Sequence, residues 1–87
     1  MFERRVTVAS KVGLHARPAA LLAKTAAAQP VTITIRKDGA EPVEAGSILG
    51  LMTLGAEHGD EVVLAAEGEG AEAALDEVAE LVSSELD

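Results

Sequence analysis

The sequence predicts an α+β sandwich, in which helices cover one face of a largely antiparallel sheet. Segments of strand-like and helix-like periodicity follow one another in the order strand, helix, strand, strand, helix, strand, helix, with no internal repeat or linker. The first two strands alternate apolar and polar residues cleanly, as a sheet with one wet face requires. A length of 87 residues suits one compact domain, residues 1–87, and is too short for two.

Residues 2 to 9 form the first strand, with Phe2, Val6 and Val8 on one side and Glu3, Arg5 and Thr7 on the other. An alanine-rich helix runs from Ala16 to Ala28; Pro18 stands in its first turn, where the missing N–H costs nothing, and Pro30 ends it. Val31, Ile33 and Ile35 alternate with Thr32, Thr34 and Arg36 in a second strand, and Asp38-Gly39 turns the chain into a short third strand near Pro42 to Ala45. Ile48 to Leu54, between Gly46-Ser47 and Gly55, is a short helix. His58-Gly59-Asp60 turns into a strand over Glu61 to Glu67, with Val62, Leu64 and Ala66 on one face and Val63 and Ala65 on the other. Ala71, Ala74, Leu75, Val78, Leu81 and Val82 fall at helical spacing, opposite Glu72, Asp76, Glu77 and Glu80, so the last element is an amphipathic helix running to the carboxyl terminus. The exposed sheet face is expected to carry Thr7, Thr32, Thr34 and Arg36.

The composition excludes several function classes. Seventeen alanines and a single aromatic residue, Phe2, leave the core to Val, Leu and Ile. Without cysteine there is no disulfide, thiolate metal site or thiol nucleophile, which suits a reducing cytoplasm. No apolar run reaches the roughly 20 residues of a membrane span, and the amino terminus shows no signal peptide. A net charge of −8 argues against nucleic acid and anionic membranes as partners. The charge is unevenly distributed. Residues 1–37 hold all seven basic residues and one acid (+6), whereas residues 38–87 hold fourteen acids and no base (−14).

His15 and His58 lie far apart with no second His or Cys nearby, so no metal is expected. No Gly-rich nucleotide loop and no Asp-Ser-Leu carrier site is present, and no cofactor is expected. His58 reads as a surface residue in a turn. The segment Gly13-Leu14-His15-Ala16-Arg17-Pro18-Ala19-Ala20 is different, because it sets a histidine at the start of a helix, two residues before an arginine. A helix amino terminus offers unpaired N–H groups and about half a positive charge to an anion. Arg17 adds a guanidinium fork suited to phosphate oxygens. A neutral imidazole in that position is a nucleophile. These parts can accept a phosphoryl group; on local physics alone, a capping histidine beside a surface arginine explains the same residues.

Gly13-Leu14-His15-Ala16-Arg17-Pro18-Ala19, the segment Gly46-Ser47-Ile48-Leu49-Gly50-Leu51-Met52-Thr53-Leu54-Gly55 and the lead-in Gly59-Asp60-Glu61-Val62 together resemble the HPr family, the phosphocarriers of the bacterial sugar phosphotransferase system. The resemblance spans essentially the whole chain. It implies an open-faced sandwich of four antiparallel strands covered on one face by three helices. It also implies a carrier rather than an enzyme. His15 would be phosphorylated on Nδ1 by enzyme I, itself charged from phosphoenolpyruvate, and would pass the group to IIA components of sugar permeases. Arg17 and the N–H groups of Ala16 and Arg17 would hold the phosphate, and a shuttling carrier is expected to be a monomer.

By position, the resemblance places the docking surface on Ala20, Ile48, Leu49 and Met52, with Leu21 adding to it and Lys24 at its rim. Positions that often carry further basic residues hold Ala27, Gly46 and Gly50 here, which leaves Lys11, Arg17 and Lys24 to steer partners. Ser47 matches a serine that a dedicated kinase phosphorylates in some members, although an N-cap of the short helix, which needs no kinase, is the preferred account of it. Two alternative functions remain: an HPr-like carrier in a nitrogen-regulatory or dihydroxyacetone-phosphorylating relay, and a regulatory α+β domain without covalent chemistry.

Overall fold

The computed structural model describes residues 1–84. The last helix, expected to run to the carboxyl terminus, ends at Val82 with Ser83 as its C-cap, and residues 85–87 lie outside the described residues. The elements are β1 (Phe2–Thr7), α1 (Ala16–Ala27), β2 (Thr34–Lys37), β3 (Val43–Glu44), α2 (Ile48–Leu54), β4 (Glu61–Ala66) and α3 (Ala71–Val82). The strands form one antiparallel sheet in the order β1-β4-β2-β3. The inner side chains of the sheet, Val62, Leu64, Ala66 and Ile35, pack against Leu22 of α1, Leu51 of α2 and Leu75 and Val78 of α3. This is the expected open-faced sandwich.

Helix α1 has the expected limits, with Ala28 as its C-cap and Pro30 beyond. Alanines at positions 19, 23 and 26 are buried, so small side chains let α1 lie close to the sheet. Helix α2 ends at Gly55, whose φ of 69° is the left-handed C-cap conformation that glycine adopts without a steric penalty.

Strand limits differ more from expectation. The second strand begins at Thr34 rather than Val31, because Pro30 and the bend after it carry the chain away from the ladder; Ile33 is nevertheless buried and its carbonyl accepts from the Ala45 N–H. The third strand shortens to two residues and the first stops at Thr7, where Val8 turns to bond with the loop before β4. Phe2, expected on the apolar side of the first strand, is exposed at the edge of the sheet.

Thr7 and Thr32 are exposed, as expected, but the outer face of the sheet is otherwise drier than expected. Thr34 and Arg36 are half-buried rather than wet, and Val63, which points away from the helices, is only 3% exposed. It is flanked in register by Arg5 on β1 and Arg36 on β2. The aliphatic stems of arginine cover apolar surface while their guanidinium groups stay in water.

Candidate functional site

The site begins where the loop after β1 meets α1. Gly13 has a φ of 74°, and a Cβ there would lie 2.6 Å from the Ala56 carbonyl oxygen, so only glycine permits this approach. The next residue, Leu14, is buried and its N–H donates to that same carbonyl at 2.9 Å. With Leu14 anchored inward, His15 is turned outward and exposed.

His15 is the N-cap residue of α1, with extended backbone (φ −118°, ψ 160°), but its imidazole makes no capping hydrogen bond. Ser47, the N-cap of α2, does cap: its hydroxyl accepts from the Gly50 N–H at 3.0 Å. Of the two roles left open for His15 by the sequence, the structural one is therefore not performed by its side chain.

Ala16 follows with a φ of 42°, the one positive value among described residues other than glycine. The left-handed region costs an L-residue about 1–2 kcal/mol, so the turn into the helix is strained. The first intrahelical bond runs from the Ala19 N–H to the His15 carbonyl, at 3.4 Å. The N–H groups of Ala16 and Arg17 precede it, and Pro18 has none, so two donors at the positive end of the helix are left for an anion beside the imidazole. Arg17 is exposed.

The ion pairs explain why this end is basic in an acidic protein. Arg4 pairs with Asp76 and Glu72, Arg5 with Asp38 and Glu61, Arg36 with Asp38, and Lys37 with Asp60. Each of these partners comes from the acidic half of the chain. Among the described residues, Arg17 and Lys24 form no ion pair, and both stand on the outer side of α1. Lys11 is exposed in the preceding loop.

The expected docking residues are exposed on two helices that pack against each other. Arg17, Ala20, Leu21 and Lys24 recur at helical spacing on the exposed side of α1. Helix α2 packs beside α1 and exposes Ile48, Leu49 and Met52 while burying Leu51. Leu49 is the most open of these at 78%. Val12, exposed at 57% in the loop before His15, was not anticipated; an apolar residue in a short loop carries no periodicity that tells exposure from burial. His58 is exposed in the turn before β4, as expected for a surface residue. Among the described residues, no cluster of three or more His, Asp or Glu side chains could hold a metal ion, and no helix is long and apolar enough to cross a membrane.

Comparison with known proteins agrees with this geometry. Residues 2–84 match the family model described as the PTS HPr component phosphorylation site. The chain is 49% identical over 87 residues to the phosphocarrier protein HPr of Streptomyces coelicolor, covering 100% of this chain and 94% of that one. Over 86 residues it is 42% identical to the HPr-like protein Crh of Bacillus subtilis, covering 99% of this chain and all of that one. Among solved structures, HPr of Thermoanaerobacter tengcongensis superposes with a TM-score of 0.89 at 42% identity, covering 97% of this chain and 93% of that one. A crystal structure of Crh, described as a dimer with a swapping domain, gives 0.69 at 40% identity and covers 100% and 99%.

Proposed function

Because the chain belongs to the HPr family, the phosphocarriers of the phosphotransferase system, we propose that His15 is its phosphoryl acceptor. Nδ1 of His15 attacks the phosphorus held by phosphorylated enzyme I, whose donor is phosphoenolpyruvate. The new N–P bond forms as the bond to enzyme I breaks, and that bonding pair stays with enzyme I. The reverse sequence, with a IIA component as acceptor, discharges the carrier. Arg17 and the N–H groups of Ala16 and Arg17 hold the phosphate oxygens during the interval. The carrier is a substrate of its partners and not an enzyme.

The observation that carries this reading is the exposed His15 side chain, which makes no capping hydrogen bond at the amino terminus of α1 and stands two residues before an arginine that has no carboxylate partner among the described residues. An open site suits a carrier, because a phosphate held in a closed cage would not be released to the next protein. The surface of Ala20, Leu21, Lys24, Ile48, Leu49 and Met52 is where both partners dock in turn. The protein acts as a cytoplasmic monomer of a single domain, residues 1–87. Ser47 serves as the cap of α2, and its hydroxyl is also the candidate for regulatory phosphorylation.

Incubation with phosphoenolpyruvate and enzyme I tests the proposal. An acid-labile phosphoryl adduct forms on the wild type and is absent from His15→Ala. A wild type that stays unlabelled overturns it.

A further inference from the structure

The motif Gly59-Asp60-Glu61-Val62 is accounted for only in part by its place at the start of β4. The turn before that strand grips the loop that carries His15 at both of its ends. At the near end, the Val8 N–H donates to the Asp60 carbonyl at 2.9 Å, and the Gly59 N–H returns a bond of the same length to the Val8 carbonyl. At the far end, the Ala56 carbonyl accepts the Leu14 N–H at 2.9 Å, and Gly13 packs directly on Ala56 and Glu57. Residues 8–14 are therefore strung across residues 56–60.

The shape of that turn depends on one side chain. The Asp60 carboxylate accepts the Glu57 N–H at 2.9 Å, while the Asp60 N–H donates to the Glu57 carbonyl, also at 2.9 Å. This reciprocal pair closes the turn on itself. Lys37 on β2 braces it from the sheet side, with Nζ 3.5 Å from the carboxylate and 3.4 Å from the Gly55 carbonyl oxygen. The acid is held ionised, since the Glu57 N–H, followed by Lys37, favours the carboxylate against some desolvation.

We propose that Asp60, braced by Lys37, is a positioning residue for His15. It fixes the Glu57–Asp60 turn and so the Ala56 carbonyl, which anchors Leu14 and sets the direction in which the neighbouring imidazole leaves the loop. This inference rests on His15 being the phosphoryl acceptor. The docking residues lie elsewhere, on α1 and α2, so Asp60 acts on the reaction step and leaves partner affinity alone. A misplacement of about 1 Å at a reacting group is enough to slow chemistry up to a hundredfold.

The test compares wild type, Asp60→Ala, Asp60→Asn and a core-weakened control, Val78→Ala, whose site is in α3. Transfer from phosphorylated enzyme I is followed by rapid quench, and the Leu14 amide and His15 ring signals are followed by NMR. In Asp60→Ala, kcat falls on the order of tenfold while KM for the carrier is unchanged. The Leu14 amide loses exchange protection and the His15 ring signals shift. Asp60→Asn, which keeps an acceptor oxygen, recovers most of both, and Val78→Ala moves neither. Wild-type transfer rates and His15 signals in Asp60→Ala overturn the inference and leave the phosphohistidine reading standing. A loss matched by Val78→Ala overturns it in the same way. A wild type that takes no label overturns the phosphohistidine reading and the catalytic half of this one, and the NMR signals still decide whether Asp60 sets the loop.

Discussion

One nitrogen of the Arg5 guanidinium, Nη1, donates to both carboxylate oxygens of Asp38, at 3.0 and 2.9 Å, and to Glu61 at 2.9 Å. The two carboxylates hold the arginine proton even more firmly than usual, Asp38 contributing most. Exposed ion pairs add little stability by themselves. Their consequence here is for Val63, the cross-strand partner of both Arg5 and Arg36, which these held side chains cover on a face that would otherwise be wet. Val63→Ala is expected to lose about 1–3 kcal/mol in urea unfolding, like a core valine. Arg5→Met, which keeps the stem, is expected to be less damaging than Arg5→Ala.

The Asp60 carboxyl sits below its ordinary value of 3.8, chiefly because it accepts the Glu57 N–H. A depressed acid contributes stability above its unfolded-state pKa, and that contribution is lost as pH falls through the folded value. The stability gap between wild type and Asp60→Asn should be constant from pH 7 to about pH 5. It should then narrow below about pH 4, as measured by urea unfolding at each pH. A gap that widens on acidification would contradict the sign.

Ser47→Ala removes an acceptor that Gly50 uses. About 1 kcal/mol of stability should be lost. Ser47→Asp keeps a capping oxygen and should recover the stability, so its transfer rate can be read separately. Loss of enzyme I-dependent transfer in Ser47→Asp marks the position as a switch, and unchanged transfer leaves the cap as its whole role.

Leu49 and Leu51 are neighbours in α2 with opposite exposures, 78% and 0%. Leu51→Ala should cost about 2–5 kcal/mol by opening the core. Leu49→Ala should change stability by less than about 0.5 kcal/mol and instead raise KM with enzyme I. Equal KM values for Leu49→Ala and wild type would remove Leu49 from the docking surface.

Arg17 and Lys24 are in no ion pair among the described residues, so they give the exposed side of α1 its positive charge. Steering by exposed charges is screened over about 10 Å at 0.1 M salt. The association rate with enzyme I should fall as salt rises, and the slope should flatten in Lys24→Ala. A wild-type rate indifferent to salt would rule out steering.

Much of this was legible in the sequence because it rests on local rules. The limits of α1 follow from alanine propensity and Pro30, and those of α2 from Ser47 and Gly55. The segment from Gly13 to Ala20 identified the candidate site because histidine, arginine and a helix start are neighbours in the chain. Strand limits were less legible. Whether Val31 pairs depends on where β4 lies, and whether Phe2 is covered depends on what borders β1, and neither is encoded nearby.

By itself, the sequence determined the order of elements, the segment that holds the candidate site and the division of charge, +6 in residues 1–37 against −14 in residues 38–87. Only the tertiary structure decided how that charge is spent. Sheet and helix packing bring Asp38, Asp60, Glu61, Glu72 and Asp76 onto Arg4, Arg5, Arg36 and Lys37, while Arg17 and Lys24 on the exposed side of α1 have no carboxylate partner among the described residues. It likewise decided that Asp60 closes the turn against which the His15 loop is strung. The physical reason is the same in both cases. Ion pairs and hydrogen bonds act over a few ångströms, so Arg5 reaches Asp38, Lys37 reaches Asp60 and Leu14 reaches the Ala56 carbonyl only once the fold has closed, whereas the Glu57–Asp60 bond within the turn is local.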